Sequence, residues 1–371
     1  MSKLNYDNLT LSELRMERDK IEKLIKERER KNQNDDGKVN MVTRYNLFPL
    51  VDQEAYEFYV KQESSMWSPF EMDYQRDIKD YNDLKLYDST GKNIKIKKLI
   101  DMILGFFSPG DGLINDNLIT NFLRGAKTFE ETAFFCGQIH VELIHAVTYS
   151  LTIATMIPNT EEQKAIFEMV ESTPVVKAKT DLMYKYIMSD LDESDRYVAF
   201  SASEGILFCT LFNIIYWLRS TGKFQNFIFS NEQIGKDEKN HRDYGCSRYQ
   251  KCRNRNSKRT LDIVLEFVEV EKMFIKEMLP EPIEDLNADD MIKYLYTTTD
   301  SLLIQLGEPR YFNSNFSPNF MKEINLAPKS NLYEVKTGNY RQFSEKDALT
   351  KHLPQIKKNM QTTQNLDDVD F

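Results

Sequence analysis

Two short patterns in this sequence are suited to gripping metal: Glu142-Leu143-Ile144-His145 and Glu238-Lys239-Asn240-His241. Residues three apart on a helix share one face, so each pair can offer a carboxylate and an imidazole to one ion. The chain has four histidines, at 140, 145, 241 and 352, and two of them close such a pair. A single Glu-x-x-His is weak, because a surface ion pair or a helix cap explains it as well. Two copies, each preceded by a lone acid, are more specific. Asp111 stands 31 residues before Glu142, and Glu204 stands 34 before Glu238. Glu204 also lies inside the apolar run 199–218, where an unpaired carboxylate would be very costly and metal ligation relieves that cost. Four carboxylates against two divalent ions leave such a cluster near neutral. Hard oxygen donors with one imidazole per ion suit iron or manganese, and do not suit thiolate zinc or an iron–sulfur cluster. Buried acids satisfied by Arg or Lys partners are the competing explanation.

The residues around these candidates extend the pattern. Tyr149 follows His145 by one helical turn, on the same face. Phe208 and Phe212 continue the stripe of Glu204, and Ile234 precedes Glu238 by one turn. This spacing predicts a phenol near the metals, walled by Phe208, Phe212 and Ile234. A dry apolar pocket is what a long-lived phenoxyl radical needs. By spacing alone, an ordinary aromatic core explains these residues better. The order of ligands, carboxylate then Glu-x-x-His and again carboxylate then Glu-x-x-His, is that of ferritin-like dimetal carboxylate bundles.

Such ligands need long helices to carry them, and the composition supplies these. The chain has 371 residues, 41% of them apolar and 12% aromatic, enough for a substantial core and against disorder. A net charge of −9 disfavours a general nucleic-acid or anionic-membrane binder. With 13 glycines and 11 prolines, turn punctuation is sparse. The periodicity predicts helices near 55–65, 96–107, 115–125, 129–157, 161–172, 178–189, 192–221, 231–245, 257–278 and 288–306. Alternating strands are nearly absent, so the fold class is all-α. The runs 139–157 and 199–218 are long enough to span a membrane. They carry His140, Glu142 and His145, and Glu204 and Asn213, which reads better as central helices of a soluble bundle.

Three regions are expected: a charged helical arm and linker over 1–40, a dimetal bundle over 41–330, and a polar tail over 331–371. Thr10-Leu11-Ser12-Glu13 fits a capping box that starts the arm. Four cysteines at 136, 209, 246 and 252 form no Cys-x-x-Cys pair, and no signal-peptide pattern opens the chain. These features predict reduced thiols and a cytoplasmic location. Six Arg or Lys within 248–259 read as a solvated helix end or loop. No phosphate loop and no Gly-x-Gly-x-x-Gly fingerprint occurs.

Several ordered motifs carry a family resemblance that runs from about Arg44 to the C-terminus. Ser108-Pro109-Gly110-Asp111-Gly112-Leu113-Ile114 and Gln138-Ile139-His140-Val141-Glu142-Leu143-Ile144-His145 resemble the first half-site of class I ribonucleotide reductase small subunits. Ser203-Glu204-Gly205-Ile206-Leu207-Phe208 and the segment from Phe229 to His241 resemble the second, and Met66-Trp67-Ser68-Pro69 is similar to the family's tryptophan motif. The resemblance implies a ferritin-like bundle holding two iron ions, with manganese as the alternative. It implies Asp111, Glu142 and His145 on one ion, Glu204, Glu238 and His241 on the other, and bridging by Glu142 and Glu238. Tyr149 then matches the radical tyrosine, and Trp67 and Asp237 match the relay toward the large subunit. Tyr340 matches the tail tyrosine at the subunit interface. Asn365-Leu366-Asp367-Asp368-Val369-Asp370-Phe371 resembles the acidic tail that docks on the large subunit, and a homodimer is implied. Departures exist: Ala146-Val147-Thr148 follows His145 in place of the usual Ser-Glu-Met, and 31 residues separate Tyr340 from the C-terminus. The alternatives are a ferritin-like iron store and a dimetal oxidase acting on an organic ligand. Asp111 together with Tyr149 speaks for the reductase.

Overall fold

The structure is a computed structural model that describes Leu47 and residues 50–321. Among the described residues it has twelve α-helices and no β-strand. The first four are α1 (Gln53–Ser64), α2 (Gln75–Asp83), α3 (Lys92–Asn117) and α4 (Phe129–Met156). Next come α5 (Thr160–Phe167), α6 (Met169–Ser172), α7 (Pro174–Met188) and α8 (Glu193–Ala202). The last are α9 (Cys209–Leu218), α10 (Gln225–Lys251), α11 (Ser257–Met278) and α12 (Ala288–Gln305). A π turn, Ser203–Leu207, joins α8 to α9, and another, Leu118–Phe122, extends α3.

Local chemistry marks the helix starts. Thr128 caps α4 by accepting the Glu131 N–H, and Asn256 and Asn287 do the same for α11 and α12. Pro174 opens α7, where its missing N–H is no loss. The start of α10 is capped from another helix: Asp77 of α2 accepts the Phe227 N–H at 2.7 Å. That bond ties α10, which carries two of the six candidate ligands, to α2.

The core gathers where α3, α4, α8, α9 and α10 pack together, with α3 against α4 and α8 against α10. The apolar helix Glu193–Thr221 is long and apolar enough to cross a membrane, yet its most apolar stretch is 94% buried inside the protein. It is the central helix that the ionisable residues in it predicted.

Two local expectations change. The predicted break between 107 and 115 does not occur, and α3 runs through Pro109. A proline inside a helix costs about 3 kcal/mol. Leu104, Phe106 and Phe107 before it and Ile114 after it are all buried. At roughly 1.5–3 kcal/mol per buried side chain, their packing outweighs the proline. The basic stretch 248–259 is also not wholly solvated. Arg248 is buried, pairing with Asp52, with Glu131 at 3.3 Å and with Glu54 at 3.5 Å. Its partners lie far away in sequence, so composition alone hid them.

Candidate dimetal centre

Five of the six candidate ligands come from long α-helices and one from a π turn. Asp111 projects from α3, Glu142 and His145 from α4, Glu204 from the π turn, and Glu238 and His241 from α10; all six are buried. The fold brings them into two overlapping groups. Asp111, Glu142, His145 and Glu238 form one, and Glu142, Glu204, Glu238 and His241 form the other. Within each group, one donor atom per residue lies within 4.8 Å of the rest. Glu142 and Glu238 belong to both. Nδ1 of His145 is 3.2 Å from Glu142 and 3.1 Å from Glu238. Nδ1 of His241 is 2.9 Å from Glu142 and 3.2 Å from Glu238.

The electrostatics show a site short of positive charge. Burial pushes Asp111 and Glu204 well above the usual carboxylate range, and neighbouring acids add to the push. Burial works on Glu238 too, but the two histidines beside it hold it well below that range. Burial opposes a charged imidazole, yet Glu238 and its neighbours raise His145, and Glu142 raises His241 to about 9. Two divalent ions would relieve this crowding of buried acids. The donors also fit metal by their unmet valence. Both oxygens of Asp111 and both of Glu204 are buried without a hydrogen-bond partner. Buried polar atoms are rarely left so, and an oxygen-rich set with one imidazole per ion suits two hard cations.

Tyr149 is fully buried beside this cluster. Its hydroxyl donates to Oδ1 of Asn231 at 2.8 Å. Its ring stacks on Phe107 with centroids 4.8 Å apart and planes 6° apart. Burial, and then Asp111, raise its pKa well above the usual phenol value, so it stays protonated. Phe208 and Phe212 pack on Phe107 at 5.4 and 5.2 Å, and Ile234 is fully buried. Phe107 and Asn231 were missed in the sequence reading. A signal existed for both: Phe107 precedes Asp111 by one turn, and Asn231 precedes Glu238 by two.

On the other side of His145 lies a hydrogen-bonded line. The Trp67 indole N–H donates to Oδ2 of Asp237 at 2.8 Å, and that oxygen is 3.2 Å from Nε2 of His145. The Trp67 and His145 rings stack with centroids 6.2 Å apart. Asp237, which in sequence looks like a solvated helix acid, is buried. Tyr340, the acidic tail and the 1–40 arm lie outside the described residues.

Fold and site define a helical bundle with a buried carboxylate and histidine centre built for two metal ions. The family model for the ribonucleotide reductase small chain matches residues 44–319. The ribonucleoside-diphosphate reductase small chain of Neurospora crassa is 34% identical over 300 residues, covering 80% of this chain and 72% of that one. The small chain of Yaba-like disease virus is 34% identical, covering 82% of this chain and 91% of that one. Among solved structures, the Rnr4 homodimer of Saccharomyces cerevisiae superposes with a TM-score of 0.65 at 26% identity, covering 76% of this chain and 89% of that one. The dimanganese(II)-NrdF protein of Streptococcus sanguinis shares the fold, with a TM-score of 0.66 at 17% identity. The chain belongs to the ribonucleotide reductase small-chain family. It is the small subunit of an oxidoreductase, ribonucleoside-diphosphate reductase.

Proposed function

We propose that this chain is the radical-generating subunit of a class I reductase, acting as a homodimer with a large subunit that reduces ribonucleotides to deoxyribonucleotides. The observation that supports this most is one buried block holding six ligands, Tyr149 and the Trp67–Asp237–His145 line. Asp111, Glu142 and His145 would hold one ion, and Glu204, Glu238 and His241 the other, with Glu142 and Glu238 shared. Iron is the first expectation and manganese the alternative. A bound pair of such ions supplies, with dioxygen, the oxidising power to take an electron from a phenol.

The chain's own residues do the rest. In that chemistry Tyr149 would lose one electron and its phenolic proton to the oxidising centre, which would be reduced by one electron and take up the proton. Asn231 cannot take that proton, because an amide oxygen accepts hydrogen bonds but is not basic at neutral pH. Its part is to orient the phenol. Asp111 is the acid that weighs most on the phenol. Phe107, with Phe208, Phe212 and Ile234, keeps water from the resulting radical. Trp67 and Asp237 form the exit: the indole N–H and the carboxylate hold proton and electron positions fixed between His145 and the outer face. Tyr340 continues the path to the large subunit, and the segment 365–371 docks there. A cytoplasmic location goes with the four free cysteines.

The test is low-temperature electron paramagnetic resonance on metal-free protein given ferrous iron and oxygen, with Tyr149→Phe as control. A tyrosyl signal that vanishes in the variant supports the reading. A filled metal centre with no radical would reject iron-dependent radical generation at Tyr149.

A further inference from the structure

Beside the metal cluster, and outside it, lies a second buried charge pair that the reaction does not use. Lys179 of α7 and Glu271 of α11 are both fully buried, with Nζ 2.9 Å from Oε2. The ammonium also sits over the rings of Phe106, at 4.2 Å, and Phe274, at 3.9 Å. Burial pushes Lys179 down and Glu271 up, so the pair stands against a desolvation cost. Apolar residues of similar volume in such a place are often neutral or stabilising. Stability alone is therefore a poor reason for this pair.

Its position suggests another reason. Lys179 Nζ donates to the backbone carbonyl of Leu207, the last residue of the π turn that carries Glu204. Glu271 reaches this break only through Lys179, whose ammonium it holds at 2.9 Å. The cation thus meets a carbonyl where the π turn ends, and the anion holds the cation there. Such breaks change the hydrogen-bond register and need outside partners for the backbone groups they free. The register matters for the site. If the turn relaxed to ordinary α-helix, Glu204 would rotate by roughly 100° relative to Phe208 and Phe212.

We propose that Lys179 is a positioning residue: held by Glu271, it clamps the π turn at Leu207 and so aims Glu204 into the metal cluster. This rests on the dimetal reading above. Partners of this kind around metal ligands change metal affinity by about 10- to 100-fold when removed. The effect should fall on the ion that Glu204 and His241 hold and spare the one that Asp111 and His145 hold.

The experiment counts Mn(II) bound by the full chain without oxygen, using the electron paramagnetic resonance signal of free Mn(II). It compares wild type, Glu204→Ala and the paired replacement Lys179→Met with Glu271→Leu, with thermal unfolding measured in parallel. Lys179→Met with Glu271→Gln is a second paired variant, for the case that the first does not fold. The expected result is two Mn(II) in wild type. A folded paired variant keeps its melting temperature but loses or weakens one site about 10- to 100-fold, as Glu204→Ala does. Two ions at wild-type affinity in a folded paired variant would overturn the clamp. So would equal weakening of both sites with a lower melting temperature, or failure of both paired variants to fold, since either makes the pair structural. Fewer than two ions in wild type would instead overturn the dimetal reading, and this inference with it.

Discussion

Tyr149→Phe separates the radical from the metal site, and its cost can be worked from the structure. The substitution removes one hydroxyl and keeps the ring that stacks on Phe107. No ligand changes, so two metal ions should still bind. The lost group leaves Oδ1 of Asn231 without its donor in a fully buried place. An orphaned buried acceptor costs about 1–3 kcal/mol. Removing both partners with Tyr149→Phe and Asn231→Leu should recover part of that. The recovery is incomplete, because Asn231 also donates to the Phe227 carbonyl at 2.7 Å. The assay is a double-mutant cycle in urea on metal-free protein, with metal stoichiometry and radical content measured on loaded samples. The expected outcome is no radical, two metals and a coupling energy of about 1 kcal/mol. Loss of metal from the Phe variant would refute the division of roles, and zero coupling would refute the Asn231 contact.

Trp67→Phe removes the indole donor to Asp237. Metal content and the Tyr149 radical should persist while deoxyribonucleotide formation with the large subunit drops to background; normal turnover would remove Trp67 from the path. Deleting 365–371 should weaken large-subunit binding, measured by titration, and leave radical yield unchanged; unchanged affinity would reject the docking role. Burial opposes ionisation of Asp52, but Arg248, the Ala55 N–H and Lys251 outweigh it and lower its pKa from 3.8 to about 2. A depressed carboxyl adds stability that is present above pH 3.8 and lost as pH falls through about 2. Asp52→Asn should remove that dependence and cost at most about 2 kcal/mol at neutral pH. An unchanged acid-unfolding curve would refute the pairing.

How far the site could be read in advance depended on sequence distance. Glu142 and His145, like Glu238 and His241, announce themselves because three residues along a helix is a contact. Glu204 was legible because charge inside an apolar run needs a reason, and Asp111 because it precedes Glu142 much as Glu204 precedes Glu238. The same periodicity fixed the all-α class and the central place of the 192–221 helix. Trp67 and Asp237 came only through family resemblance, since 170 residues separate them.

Other features had no local signature at all. Pro109 reads as a break, and only the buried side chains on both sides of it keep α3 whole. Arg248 reads as solvated until Asp52, 196 residues away, folds against it. The acceptor for Tyr149 lies on another helix, at Asn231. Most of all, nothing in Ser203-Glu204-Gly205-Ile206-Leu207 dictates a π turn. The backbone partner there is Lys179, on another helix, held in turn by Glu271 on a third. Sequence by itself determined which residues can ligate metal and that helices carry them, because those are properties of side-chain chemistry and of short-range periodicity. Tertiary structure alone decided where those ligands point, because orientation is set by contacts between segments that no local pattern relates.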